Sequence, residues 1–168
     1  MDTAPLRDAY RALLDAAATV AGSSDASPVP PAGEWNADQI LAHVSLVSAA
    51  TIAVASGVGS GALATFDNRT ALDAWTIDRL SALAGGNAGL QNRIACQGDA
   101  LCALAAVLSE AELGTSVPTL LLSNGAVLVN QPMALRDLIT GLAGTELPGH
   151  TRQLLDLLPA PAGAKAAT

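Results

Sequence analysis

Aromatic and cationic residues are scarce in this sequence, and both shortages limit what the chain can bind. Aromatic side chains make up 2% of its 168 residues, and eight Lys and Arg stand against fifteen Asp and Glu, for a net charge of −7. Binding a nucleic acid requires clustered cations for the phosphates and, for single strands, aromatic surfaces on which bases stack. The composition therefore argues against a nucleic-acid partner.

Cysteine is scarce as well, with Cys96 and Cys102 separated by a spacing that is not CxxC. As free thiols they fit a reducing cytoplasm. The first residues lack the basic start and apolar run of a signal peptide, so a cytoplasmic location is expected. No Asp, Glu, Lys or Arg lies between Ile40 and Phe66, but the Ser, Thr, His and Gly residues in this stretch argue against a membrane span.

Hydrophobic residues, in contrast, are abundant at 51% of the chain. This content is enough to offset the entropy cost of ordering a chain of this length around one core. We therefore predict a single domain over residues 1–158. A disordered tail is expected over 159–168, which reads PAPAGAKAAT.

Apolar residues recur at three- and four-residue spacing, which predicts amphipathic helices. The second helix has the clearest start, because Asn36 and Gln39 have the spacing of a capping box and Trp35 is placed to pack back on Ile40. The run SGVGSG should end it, and Gly98 should break the chain before the fourth helix. The predicted helices span residues 4–21, 36–56, 67–83, 99–112 and 133–158.

One β-hairpin is expected before the last helix. Residues 117–130 read VPTLLLSNGAVLVN, and both Asn124 and Gly125 tolerate the positive φ of a tight hairpin turn. Gly144 and Pro148 should interrupt the last helix. No alternation of strands and helices supports a parallel sheet. The expected fold class is all-α, a four-helix bundle with a small β-hairpin inserted before the last helix.

The chain contains two histidines, and each has an ordinary structural interpretation. His43 lies near the buried stripe of the second helix, where an imidazole bonded to a backbone carbonyl is common, and His150 could be a surface or capping residue. Glu146 lies four residues before His150, so the two share a face if the helix is continuous. If Pro148 starts the helix instead, that shared face disappears. Two imidazoles and a carboxylate would suit Zn, Ni or Fe(II).

Two segments resemble the DinB-like superfamily. Residues 35–44 read WNADQILAHV and resemble the W-x-x-x-x-x-L-x-H signature that opens the second helix of that family. Residues 146–158 are similar to its last helix, which commonly reads H-x-x-H-H-x-G-Q-L-x-x-L. Matching residues 153–154 to the Gln-Leu of this pattern places Glu146 on the second metal histidine of the family and His150 on the third.

The resemblance implies a DinB-like four-helix bundle that holds a divalent metal and catalyses a thiol-dependent transferase or isomerase reaction. The alanine-rich composition, with seven Arg and one Lys, is typical of a high-GC actinobacterial genome, which makes mycothiol the expected thiol. With two histidines, the chain cannot complete the three-histidine site of the family. Glu146 would then join His43 and His150 as the third metal ligand.

Three functions remain open at this point. The first is a metal-assisted transferase or isomerase, and the second is a bundle with a decayed metal site and an apolar pocket for a small molecule of a biosynthetic pathway. The third is a helical interaction protein that works as a homodimer. The distance between the ring nitrogens of the two histidines tests the first function, because nitrogens more than roughly 5 Å apart could not share an ion at Zn–N bond lengths near 2 Å.

Overall fold

The computed structural model describes residues 1–23, 30, 33–123 and 125–159. Almost all of the predicted tail, the turn residue Asn124 and most of the segment between the first two helices lie outside the described residues. The described chain is mainly helical with a few short strands, which confirms the mainly helical class.

The helices are α1 (Ala4–Gly22), α2 (Ala37–Gly59), α3 (Arg69–Leu72), α4 (Ala74–Ala84), α5 (Asn87–Val107), α6 (Glu110–Leu113), α7 (Leu135–Gly141) and α8 (Leu147–Leu155). A π-helical segment, Leu142–Glu146, joins α7 to α8. The strands are β1 (Phe66–Asp67), β2 (Ser116–Val117), β3 (Thr119–Ser123), β4 (Ala126–Asn130) and β5 (Met133–Ala134).

The first two helices form where the sequence predicts them. The Asn36 side chain accepts a hydrogen bond from the Gln39 N–H at 2.9 Å, and the Gln39 side chain accepts one from the Asn36 N–H at 3.1 Å. This capping box starts α2 as expected. The helix ends at Gly59, three residues later than predicted, and the chain turns away from it at Gly61, whose φ of 74° is positive.

Helix α2 lies at the centre of the protein, where it packs mainly on α5 and also contacts α3, α4, α7 and α8. Helix α1 packs on α5 and α8, and the buried apolar side chains form one core. Among the described residues, α2 is also the helix long and apolar enough to cross a membrane, but 61% of its most apolar window is buried in the protein. A core helix passes the same test, so this property is weak evidence for a span.

Two predicted helices are wrong in their bounds. The segment predicted as one helix over 67–83 contains β1, α3 and α4, because the Asp73 side chain accepts the Thr76 N–H at 2.9 Å and starts a new helix there. The helix predicted over 99–112 falls in two helices: α5 begins at Asn87, passes through Gly98 without a break and ends at Val107, and α6 begins at Glu110 after a capping box at Ser109. A Cβ at Gly98 would lie 2.9 Å from Cγ of Tyr10, so this glycine permits the close approach of α1.

The predicted hairpin is present as the antiparallel pair β3–β4, and Gly125 has the positive φ, 75°, that its turn requires. The expectation of no parallel pairing is wrong at one place, because β1 pairs in parallel with β3 through Phe66 and Thr119. The Asn68 amide continues this pairing through two hydrogen bonds to the backbone of Leu122, at 2.8 and 2.9 Å. A second small sheet pairs β2 with β5. The first sheet, which contains β1, β3 and β4, is therefore attached directly to the start of α3.

The last predicted helix begins two residues late, because residues 133–134 form β5. Its predicted interruption takes the form of a π turn, in which the Leu147 N–H bonds to the Leu142 carbonyl, five residues back. A proline inside a regular α-helix removes one backbone bond and clashes with the carbonyl four residues earlier. The wider turn lets the helical path continue through Pro148, so Glu146 and His150 lie on consecutive turns.

Candidate metal centre

Three side chains that are distant in the sequence meet at one point of the fold. His43 comes from α2, Glu146 ends the π-helical segment and His150 lies in α8. Oε1 of Glu146 is 2.9 Å from Nε2 of His43 and 3.3 Å from Nε2 of His150. The structure therefore brings together all three residues that the sequence singles out as candidate ligands.

His43 is held from its other side by the backbone. Its Nδ1 lies 2.7 Å from the Ala71 carbonyl oxygen, which can only accept a hydrogen bond, so Nδ1 carries a proton. Nε2 then faces Glu146, and the imidazole is almost fully buried, with 4% of the side chain exposed. The ordinary interpretation of His43 as a core imidazole bonded to a carbonyl is thus correct for one ring nitrogen, while the other nitrogen remains directed at the site.

His150 is oriented in the same manner by a side chain. Its Nδ1 donates to Oε1 of Gln153 at 2.8 Å, and its Nε2 is directed at Glu146. Gln153 follows His150 by three residues and so lies on the same helical face. Gln153 is a site residue that the sequence analysis does not predict, although its three-residue spacing from His150 can be seen in the sequence. His150 is therefore a part-buried member of the cluster, and the surface interpretation of this residue is wrong.

Glu146 is the electrostatic centre of the cluster. Burial alone would raise the pKa of its carboxyl group, but hydrogen bonds from His150 and His43, and then their charges, lower that pKa well below its ordinary value. A carboxylate that faces two imidazoles is thereby kept ionised. An ionised carboxylate can either accept protons shared with the rings or bind a cation in their place.

The cluster is compatible with a small divalent cation once its side chains adjust. One ligand atom of each of the three residues lies within 4.8 Å of the other two, whereas two ligands of one zinc ion at bond lengths near 2 Å are at most about 4 Å apart, so a shared ion requires the side chains to move closer by up to about 1 Å. Ligand atoms of a tetrahedral zinc ion are about 3.4 Å apart, close to the two distances from Glu146 to the imidazoles, 2.9 and 3.3 Å. Each imidazole also has an acceptor on its far nitrogen, as ligating histidines usually do.

Trp35 covers both imidazoles. Its ring centroid lies 4.9 Å from that of His43 and 6.5 Å from that of His150, and it is nearly parallel to the latter, with an interplanar angle of 20°. The sequence suggested that Trp35 would pack on Ile40, and its place beside the imidazoles was not foreseen. The indole shields one side of the cluster from solvent.

No family model matches this chain, and no curated protein or solved structure matches it either. The resemblance to the DinB-like superfamily therefore rests on the two motifs and remains a prediction.

The cluster opens into a cavity of about 980 Å³. Trp35, His43, Glu146 and His150 line part of it, and the other lining residues include side chains from α2, β1, α3, β3, α7 and the π-helical segment. A volume of this size accommodates a small organic molecule. The arrangement can therefore hold a metal ion beside a bound small molecule.

Proposed function

We propose that this chain is a DinB-like four-helix bundle, built from α1, α2, α5 and the α7–α8 segment, that binds a divalent metal and acts on a small molecule. The reaction we propose is a thiol-dependent transfer or isomerisation. One observation carries the proposal: His43, Glu146 and His150 meet with their ligand atoms within 4.8 Å of one another beside a large cavity.

The orientation of the imidazoles supports a metal in preference to an ion pair that only stabilises the fold. His43 is anchored at Nδ1 by the Ala71 carbonyl, and His150 is anchored at Nδ1 by Gln153. Such outer contacts fix the tautomer and the direction of ligating histidines. A stabilising ion pair needs neither a fixed tautomer nor an opening to a cavity.

The donor set indicates which ions would be preferred. When bound, the metal would polarise a thiol or a carbonyl group as a Lewis acid. The chain itself would hold the ion, orient the substrate in the cavity and exclude water with the Trp35 ring. A carboxylate is a harder ligand than an imidazole, so Glu146 should lower the preference for copper and nickel and favour Zn or Fe(II). Mycothiol is the thiol that the composition favours.

A second function is favoured by a specific feature of the same cluster. In the structure Oε1 of Glu146 lies within hydrogen-bond distance of Nε2 of His43, at 2.9 Å, and 3.3 Å from Nε2 of His150, so the three groups form a polar network of their own. A bundle that binds a small molecule without a metal is consistent with this closed network. Metal content separates the two functions.

The test measures metal binding by protein purified without a histidine tag. We expect one equivalent of Zn or Fe(II) by elemental analysis, loss of binding in His43→Ala, and tighter binding in Glu146→His, which restores a three-histidine site. Asp8→His adds a histidine to the exposed surface of α1, far from the site, and should change nothing. If wild type and Glu146→His both bind no metal while circular dichroism shows an intact fold, the metal-free function replaces the proposed one.

A further inference from the structure

The wall of the cavity outside the cluster is mainly apolar. It is lined by side chains from α2, β1, α3, β3, α7 and the π-helical segment, among them Val47, Phe66, Leu72, Leu121, Leu138 and Leu142. The cavity volume of about 980 Å³ lies at the upper end of the ~300–1,000 Å³ of small-molecule sites. A molecule that fills this cavity would therefore have an apolar body of considerable size.

Two polar side chains of this wall, Thr51 and Asn68, are hydrogen-bonded within the protein. Thr51 donates its hydroxyl proton to the Val47 carbonyl at 2.9 Å. The amide oxygen and nitrogen of Asn68 are both bonded to the backbone of Leu122. Within the described part of the chain, no fully buried side-chain nitrogen or oxygen lacks a partner. An apolar ligand body therefore leaves these two side chains satisfied, because their partners lie within the protein.

The charges around the cavity are mostly negative. Glu34, Asp73 and Asp137 line it in addition to Glu146. Arg69 is the one cationic side chain among the described lining residues. Its guanidinium is occupied by Asp67, with Nε and Nη2 2.9 and 2.6 Å from Oδ2 of that carboxylate. The one lining guanidinium is therefore already paired with a carboxylate, and the four carboxylates around the cavity outnumber it.

From the apolar wall and the excess of carboxylates, we propose that the cavity binds an uncharged, mainly apolar organic molecule and discriminates against carboxylate- and phosphate-bearing ones. The inference deepens the proposed function, because such a molecule would be the substrate whose reactive group faces the cluster. It does not depend on the metal, because the wall and its charges are present without one.

The probes are a neutral and an anionic molecule of nearly equal shape, 4-ethylbenzamide and 4-ethylbenzoate. Binding is followed by the fluorescence of Trp35 in a Trp75→Phe background, since these are the two tryptophans and Trp75 is exposed. In protein freed of metal with a chelator, we expect the amide to bind about tenfold more tightly at low salt. Each uncompensated carboxylate contributes about twofold at a distance of about 10 Å in water. The preference should shrink as salt is added.

Two further measurements sharpen the test. The double variant Glu34→Gln, Asp137→Asn should reduce the preference about fourfold, because two carboxylates are removed. Asp8→Asn, which removes an exposed carboxylate that does not line the cavity, should leave it unchanged. Equal binding of the two probes, tighter binding of the benzoate, or no binding of either probe at millimolar concentration would overturn the inference. A preference for the amide in a protein that never binds metal would support the inference and reject the metal-dependent function.

Discussion

Gln153 offers the sharpest perturbation of the proposed metal centre, because it touches a ligand without being one. Its Oε1 accepts the Nδ1 proton of His150 at 2.8 Å, which directs Nε2 of that ring at Glu146. The corresponding partner of His43 is the Ala71 carbonyl, which belongs to the backbone and cannot be altered by substitution. Gln153 is thus the outer contact of the cluster that mutagenesis can change in both directions.

The two directions have opposite expected effects. Gln153→Leu removes the acceptor, so the ring of His150 can rotate and change tautomer, and loss of such outer contacts weakens metal binding by about 10–100-fold. Gln153→Glu replaces the amide with a carboxylate, which makes a stronger, charge-assisted hydrogen bond and a more basic imidazole. Metal affinity should therefore decrease in the order Glu, Gln, Leu at position 153.

Zinc affinity is measured by competition with a chromophoric chelator at neutral pH. Gln91→Leu provides a matched control, because Gln91 lies on α5 and its side chain bonds to Asn87 away from the cluster. Zinc affinities of Gln153→Leu and Gln153→Glu within twofold of each other, in folded proteins, would refute the argument that Gln153 orients a metal-binding imidazole.

Three further predictions concern stability and protonation. In chemical denaturation, Gly98→Ala should lower the free energy of unfolding by up to about 2 kcal/mol. The new Cβ overpacks against Tyr10 at a cost of ~1–3 kcal/mol, which exceeds the ~1 kcal/mol gain in helix propensity. Gly141→Ala is the control: no atom lies within 4 Å of its new Cβ, so it should stabilise the protein in the same assay. Burial raises the pKa of the Tyr10 hydroxyl from 10.0 to about 12. Because the hydroxyl ionises at lower pH in the unfolded chain, the free energy of unfolding should fall as pH rises from 10 towards 12. Absorbance of the folded protein should show that this single tyrosine ionises at a higher pH than free tyrosine. The pKa of Glu146 is lowered on folding, so in metal-free protein its carboxylate stabilises the fold above the ordinary carboxyl pKa, and this stabilisation is lost as pH falls through the folded value. The difference in free energy of unfolding between wild type and Glu146→Gln should therefore shrink under acid. A difference that stays constant with pH would contradict this.

Local rules were sufficient for the parts of the fold whose causes are local. Helices α1 and α2 follow from apolar periodicity, and the start of α2 follows from a capping box made by residues three apart. The hairpin follows from two apolar runs around residues 124–125. The same reasoning failed at Gly98, where a glycine that looks like a helix break is required by the Tyr10 ring of another helix. It also failed at β1, whose partner β3 lies about fifty residues later in the chain.

The candidate ligands could be selected from the sequence, because the chain has two histidines and one of them has a carboxylate four residues before it. Whether they meet was decided by the tertiary structure. Glu146 lies 103 residues from His43, and no local rule brings them together. The packing of α8 beside α2 and the π turn before Pro148 place the Glu146 carboxylate 2.9 Å from the imidazole of His43. A helical wheel assumes regular α-helical turns. Here the π turn before Pro148 widens the helix, which lets the chain continue through the proline with Glu146 and His150 on consecutive turns.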